Sequence, residues 1–415
     1  MWWLVAATLL IAPGERPPAE PPPGTTIELL PGVHAPFEVT GEDLTVRGQA
    51  GAVIDAGGEG HGLVASGKRV RVQNLEVRNT GPNYDFYDPD SAVFVVECED
   101  CLVEDLRAEG VITALRAEDS PGLVVRRVRA VGNRQGPGIT LYQCPNSLVE
   151  DNYLDSFLDN LYMEYTDNSV ARRNYMVRSF RYGYHLMFSK DVEVYENVAE
   201  HGRVGSAVMY GRRVRVYKNR FEGHVGPLAF GLLSQEQHES VFEDNLIRGN
   251  NVGILIVSAV EDVFINNRVE KNGFGVLVLR EKNKISSAAH FEKNEFLDNV
   301  YDLAVDDPEA KVTLRENAFD RASRLDLDKD GYSDVPYLPS SSYALLASRM
   351  LDLSLFAFSP GITLWEEAEK KVPGLRLLTL VDPRPKILTV KQEGLSLLPL
   401  LFAGVLLLGG LWLRS

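Results

Sequence analysis

Ten positions spaced along the middle of the chain constrain its fold more than any other feature: Asp105, Arg127, Asn152, Asn174, Asn197, Asn219, Asn245, Asn267, Asn294 and Asn317. Most steps between them are 22 or 23 residues. A period of this size marks a solenoid, in which each repeat buries its apolar face only against its neighbours. The units carry short runs with apolar residues at alternate positions, such as VEVYEN, VRVYKN and VTLREN, and a period of two means strand. No unit holds ten residues of helical pattern, which argues against helical and leucine-rich repeats. The expected fold is all-β: a right-handed parallel β-helix of about twelve coils from Thr26 to Phe319, roughly 55 Å long at ~4.8 Å per coil. Asn suits the column because it tolerates left-handed backbone angles and its amide can bond the equivalent Asn one coil away.

A second spacing fixes the register. Gly138 and Asn152, Asn160 (in the Gly position) and Asn174, Gly183 and Asn197, Gly205 and Asn219, Gly231 and Asn245, and Gly253 and Asn267 are each 14 residues apart. Residues one, three and five after the Gly position are expected inside: Ile139 and Leu141; Leu161, Met163 and Tyr165; Tyr184, Leu186 and Phe188; Val208 and Tyr210; Ile254 and Ile256. Residues two and four then face outward. One outward column runs Thr140, Tyr162, His185, Ala207, Leu233, Leu255 and Leu277. Its neighbour runs Tyr142, Glu164, Met187, Met209, Gln235, Val257 and Leu279.

The two columns change character along the rod. Around Leu233, Leu255, Val257, Leu277 and Leu279 they are apolar, a surface that a free rod avoids. The chain's own C-terminal segment or a docking partner is expected to cover it. In the middle coils the same face carries Glu164, His185, Met187 and Met209. Thioether and imidazole are ligands suited to Cu(I), which makes these four residues the candidate copper site. His201 and His224 follow their Asn residues at nearly equivalent places and are candidates for its rim. Asp85, Asp88 and Asp90 sit with two Tyr and a Phe in an inserted loop, where they bind sugar or cation or are simply solvated. The face shows no paired acids for glycoside chemistry, and the chain has no G-x-S-x-G, H-E-x-x-H or P-loop.

Both ends of the chain are apolar. Trp2–Ala12 has the length of a signal-peptide core, so residues 1–24 are expected to be a leader followed by the Pro-rich linker RPPAEPPPG. Residues 25–322 are the β-helix, 323–394 an acidic loop and helical cap, and 395–413 a transmembrane helix. Leu395–Leu413 holds 19 residues without a charge, ~28 Å of helix, and Arg414 follows. The body is then exported and tethered on the outer side of the membrane by its tail. The net charge of −15 and the lack of a Lys/Arg stripe argue against a nucleic-acid partner.

Cys98 and Cys101 form a lone CxxC, read as a local disulfide in an exported chain, with Cys144 left over. Asp326, Asp328, Asp330 and Asp334 occupy positions 1, 3, 5 and 9 of an EF-hand-like loop with Gly331 at 6, a candidate calcium site. Position 12 is Tyr337, so the bidentate Glu is missing. Tyr343–Phe356 and Ile362–Val372 read as two helices that cap the rod or lie on the membrane.

The repeats together with RYGYHLMFS, GSAVMY, DLDKDGYSDVPY and SPGITLWEEAEKKVPGL resemble the NosD family over about residues 26–386. The resemblance implies a periplasmic, non-enzymatic accessory protein of nitrous oxide reductase maturation. It also implies an ABC transporter partner with NosF-like ATPase and NosY-like permease, a NosL-like copper chaperone, and delivery of copper or sulfur to the reductase. The C-terminal apolar segment departs from the family pattern. The alternatives are a carbohydrate-active β-helix enzyme of the uronate lyase, epimerase or hydrolase kind, and a purely structural adaptor.

Overall fold

The computed structural model describes residues 7–226, 229–372 and 380–388. They form an all-β, right-handed parallel solenoid. The solenoid has about 13 turns, and one wall is a sheet of 12 strands from Phe37–Glu42 to Tyr301–Asp306. The other two walls are short strands that hydrogen bonding joins into one 25-stranded sheet, because Arg71–Arg78 and Leu102–Glu109 run through both. The interior is a file of fully buried Ile, Leu, Val and Phe. Phe242, Phe264 and Phe291 stack on successive coils with centroids 4.6 and 4.7 Å apart.

The Asn column is a continuous hydrogen-bonded ladder, but its chemistry differs from the expectation in one respect. The left-handed residue is the one before the Asn: Asp151, Arg173, Glu196, Lys218 and Asp244 have φ of 56°, 52°, 54°, 55° and 53°. The Asn itself points inward, where each Nδ2 donates to the next Asn Oδ1, from Asn152 to Asn174 at 2.8 Å through Asn294 to Asn317 at 2.9 Å. Asp105 and Arg127 therefore belong to the left-handed column, not to the ladder, and are paired with each other at 2.7 Å. Val128 takes the ladder position above Asn152, donating its N–H to the Asn152 Oδ1. A second ladder, which the repeat spacing did not reveal, runs from the His224 N–H through Asn250 and Asn272 to Asn299.

Both ends of the rod are finished by segments expected to lie outside it. Thr8–Ile11 is a strand paired in parallel with Thr26–Leu29, so the first turn begins inside the segment read as a leader. A short apolar run fits a signal core and a buried strand equally well, and here Ile11 is buried while Leu10 faces out. At the other end Asp382 completes the ladder, accepting from Asn317 N and Nδ2 at 2.9 Å each. Lys386 bridges to Ala318 and Tyr332, so the 380–388 stretch stands in for the next coil. The segment 395–413 lies outside the described residues. Among the described residues no helix is long and apolar enough to cross a membrane.

Two helices follow the solenoid: α1 (Ser342–Arg349), capped by Ser341, and α2 (Pro360–Lys371), capped by Ser359. A 3-10 turn, Leu351–Phe356, joins them. Both helices start close to where the sequence placed them, because the Ser-Pro step and the Ser cap satisfy free N–H groups.

Cys98 and Cys101 are disulfide-bonded and buried, so the CxxC is a staple across one turn. Burial pushes the Cys144 thiol up to about 12, leaving it inert. Replacing Cys98 and Cys101 by Ser is expected to lower stability by about 2 kcal/mol, because the closed loop is short. Urea denaturation of the oxidised protein and of the variant measures this directly.

Candidate metal centre

Three neighbouring strands build the site: Asp159–Glu164, Tyr182–Met187 and Val204–Met209. Their register places Tyr162 beside His185 and His185 beside Ala207; it places Glu164 beside Met187 and Met187 beside Met209. The outward columns read from the sequence are thus correct. Met187 and Met209 are half-buried on adjacent coils, about 4.8 Å apart along the rod.

His185 is 4% exposed although it points away from the core. Tyr162 and Tyr182 flank its ring at 4.8 and 4.5 Å. Its Nδ1 lies 2.8 Å from Asp159 Oδ2. Its Nε2 is buried and has no hydrogen-bond partner among the described residues. Asp159 is wholly buried and also receives two hydrogen bonds from the Arg181 guanidinium, at 2.7 and 2.5 Å. Burial pushes the Asp159 carboxyl up, but the hydrogen bonds from His185 and Arg181 outweigh it and hold the group below its ordinary value. An ionised Asp159 keeps the proton of a neutral imidazole on Nδ1, so Nε2 presents a lone pair. A buried, oriented nitrogen with nothing to bind is the geometry of a metal ligand backed by a carboxylate.

The sequence marks Arg181 only as the first residue of RYGYHLMFS, with no role, and does not mark Asp159 at all. Asp159 precedes the strand residues that set the register, and it meets His185 only because the coils stack. Arg181 is itself held over the rings of Phe86 and Tyr182 at 4.5 and 5.2 Å. Phe86 belongs to the inserted loop, which folds back until the ring sits 5.0 Å from Tyr162. The acids of that loop are used internally: Asp88 pairs with Arg116, Asp90 accepts from the Asn83 N–H, and Asp85 accepts from the Tyr87 N–H. Tyr162 Oη donates to Glu164 and lies 3.7 Å from Met187 Sδ. One Glu164 oxygen is therefore already engaged, which makes Glu164 a weaker candidate ligand than the other three. A groove of about 400 Å³ opens beside Glu164, lined by Arg116, Glu118, Tyr142, Tyr162 and Tyr165 among others.

Other expectations need correction. Tyr165 and Phe188 are not in the core but 43% and 38% exposed, and Tyr210 is half-buried. These residues have φ of 52°, 47° and 57°, so the alternation ends at the strand terminus and the fifth side chain turns outward. The three rings stack on one another at 5.4 and 5.0 Å. His224 is fully buried, its ring nitrogens 3.1 Å from the carbonyls of Gly202 and Ala199, and it is not a rim residue. His201 is exposed.

The apolar end of the columns is covered from within. Leu277 packs with Phe274, Tyr301 and Ala304 under Tyr343, Ala344 and Ala347 of α1, with Leu255 and Leu279 at the margin. Leu277 is therefore a seat of the helical cap rather than a docking residue, and Leu279 stays half-buried at its edge. Leu233 is buried with Val204, Ala207 and Phe230, while Leu255 and Val257 stay half-buried beside them.

The acidic loop is partly as expected. Oxygens of Asp326, Asp328 and Asp330 lie within 4.8 Å of one another. Asp334 is outside this group and accepts from the Leu327 N–H at 2.6 Å. Arg384 already sits 2.5 Å from Asp330 and over the Tyr332 ring. Tyr337 is no ligand substitute: its Oη donates to Asp302, whose buried carboxyl is pushed up to about 6 by burial.

Residues 123–320, a little under half of the chain, match the family described as periplasmic copper-binding protein (NosD). Over these residues the chain is similar to the NosD family. The match spans the coils that carry Asp159, Arg181, His185, Met187 and Met209. No curated protein sequence matches the chain significantly. Among solved structures, the Agl-KA catalytic domain is similar at 12% identity and a TM-score of 0.56, covering 70% of this chain and 63% of that one. The catalytic unit of a GH87 alpha-1,3-glucanase from Streptomyces thermodiastaticus is similar at 14% and 0.56, covering 70% of this chain and 62% of that one. The tailspike gp61 of Pseudomonas phage phi297 is similar at 10% and 0.56, covering 71% of each. At such identities these likenesses establish the β-helix and nothing about chemistry. The NosD-like chain spans less than two thirds of the length of the first two.

Proposed function

We propose that this protein is a NosD-like accessory that works in the periplasm, receives Cu(I) at His185, Met187 and Met209 and passes it on for assembly of the nitrous oxide reductase copper centre. The buried, unpartnered Nε2 of His185 carries the reading. A buried polar atom without a partner costs about 1–3 kcal/mol, a cost that a bound ion removes. Met187 and Met209 supply soft sulfur on the same face, which selects Cu(I) over the commoner divalent ions. In this reading an ABC transporter (NosF-like ATPase, NosY-like permease) and a NosL-like chaperone are the partners. The half-buried Leu255 and Val257, next to Leu233, form the strip on which the permease docks. Metal analysis of the complex pulled down from membranes separates copper from a sulfur cargo.

Changing Met187 and Met209 together to Leu is expected to weaken Cu(I) binding by about 100-fold or more, with the melting temperature little changed, because Leu keeps the volume. An anaerobic competition titration with a Cu(I) chelator decides it. Unchanged affinity would discard the site.

A carbohydrate-active reading draws on the groove with Glu118 and Glu164 among aromatic rings. Both acids are pinned, Glu118 by Arg116 and Glu164 by Tyr162, which leaves neither poised as a free base. Turnover of a uronate polymer that disappears in Glu164→Gln would favour this reading over copper handling. Calcium, where it binds, would use Asp326, Asp328 and Asp330 and draw Arg384 off Asp330; calorimetric titration of Asp328→Asn against the parent protein tests it.

A further inference from the structure

The helical cap shows an inverted pattern. In α2 the one buried residue is Glu369, whose Oε2 accepts from the Ser342 N–H of α1 at 3.0 Å. The same helix leaves Leu364 71% exposed, and Trp365 41% exposed with its indole N–H donating to Glu369 Oε1 at 2.6 Å and its ring edge against Tyr343. The linking turn and the approach to α2 add Leu355 at 84%, Phe356 at 57% and Phe358 at 77%, with Met350 at 59% just before them. A helix normally buries its apolar stripe and turns its acids to water. Here α1 and Ile362 pack on the solenoid, while the large apolar residues between and beyond them stay exposed. Along the solenoid the exposed large apolar residues are scattered and the acidic loop adds Leu325, Leu327 and Val335, whereas this group falls within 16 consecutive residues, 350 to 365.

The chain indicates what meets this surface. The 380–388 stretch is fixed to the same end of the rod by the Asn317–Asp382 and Lys386–Ala318 contacts. Six residues, 389–394, then separate it from the 19 uncharged residues 395–413. Six extended residues reach about 20 Å. A tail of that length and composition in a bilayer holds the cap at the membrane surface, where Phe, Leu and Trp side chains enter the headgroup layer favourably.

We propose that the exposed apolar residues of the cap, Met350, Leu355, Phe356, Phe358 and Leu364, rest in the interfacial layer of the lipid bilayer and set the solenoid against the membrane at its C-terminal end. This inference does not depend on the copper site.

The test uses the full chain reconstituted in phosphatidylcholine vesicles, with an environment-sensitive fluorophore attached through Leu355→Cys or, separately, Phe358→Cys. Cys98 and Cys101 are bonded and Cys144 is buried, so the new thiol is the one labelled. Val131→Cys, at an exposed site on the solenoid, is the reference. The expected result is a blue-shifted emission at both cap positions and quenching of more than half of it by lipids carrying a shallow nitroxide, with no such quenching at the reference. Emission like that at the reference position would overturn the proposal. So would a blue shift that shallow and deep nitroxide lipids leave unquenched, since the surface would then be covered by protein, either a second copy or the chain's own tail. Failure of the full chain to associate with vesicles would overturn it as well. Far-UV circular dichroism checks that each labelled variant keeps its β content, and agreement of the two positions guards against a local effect of one substitution.

Discussion

Asn219→Ala is expected to destabilise the protein by about 5 kcal/mol, the largest effect anticipated for a single residue outside the hydrophobic core. Asn219 is buried in the middle of the ladder. Its Oδ1 accepts from Asn197 N and Nδ2 at 2.9 and 3.0 Å, and its Nδ2 donates to Asn245 Oδ1 and to the Val194 carbonyl at 3.0 and 2.9 Å. Alanine leaves these partners buried and unsatisfied on both neighbouring coils, at about 1–3 kcal/mol for each orphaned group. Because coil-to-coil contacts couple a solenoid only through nearest neighbours, the variant is also expected to split its unfolding into two transitions. Urea denaturation followed by circular dichroism measures both. A loss below about 1 kcal/mol would mean that the ladder is not a main support of the stack. Val225→Ala, at an exposed loop position, is expected to change stability by less than about 0.5 kcal/mol.

The second large effect concerns Asp159, a positioning residue. Asp159→Asn is expected to weaken Cu(I) binding about 10–100-fold with His185, Met187 and Met209 all in place, the range found when the outer partner of a metal-bound His is removed. The amide no longer dictates which nitrogen of His185 holds the proton, and it leaves the Arg181 guanidinium without its counter-ion. Some loss of stability is expected from Arg181, moderated because that side chain is 35% exposed. Affinity alone would not separate positioning from unfolding. The imidazole nitrogen shifts of His185 do: the metal-free parent protein is expected to show the Nδ1–H tautomer, and the variant a mixture. An unchanged tautomer with unchanged affinity would remove Asp159 from the site.

Much of the site was legible because a parallel β-helix copies sequence spacing into space. Once Gly183 and Gly205 were aligned, Met187 and Met209 had to be neighbours, and they are. Strand alternation likewise put Ile139, Leu161, Tyr184 and Val208 in the core, where they are fully buried. The same rule failed at Tyr165, Phe188 and Tyr210, because alternation holds only while the backbone stays extended and these residues take left-handed angles. It also set Asp105 and Arg127 in the wrong column, since a one-residue offset between the left-handed position and the inward Asn is invisible in a repeat count. Asp159 was missed for a different reason. Nothing in its own coil marks it, and its meaning comes from a histidine 26 residues later.

By itself, then, the sequence determined the solenoid, its coil-to-coil register, the outward columns and the Met/His face, because each follows from local periodicity repeated at a fixed interval. The resemblance to NosD rested on segments within and after those coils. Tertiary structure alone decided what is covered and what is charged. It laid α1 over Leu277, carried Asp382 back to finish the Asn ladder, recruited Thr8–Ile11 into the first turn, and buried Asp159 with Arg181 against His185. Those contacts join residues far apart in the chain or outside the repeat, and no period encodes them.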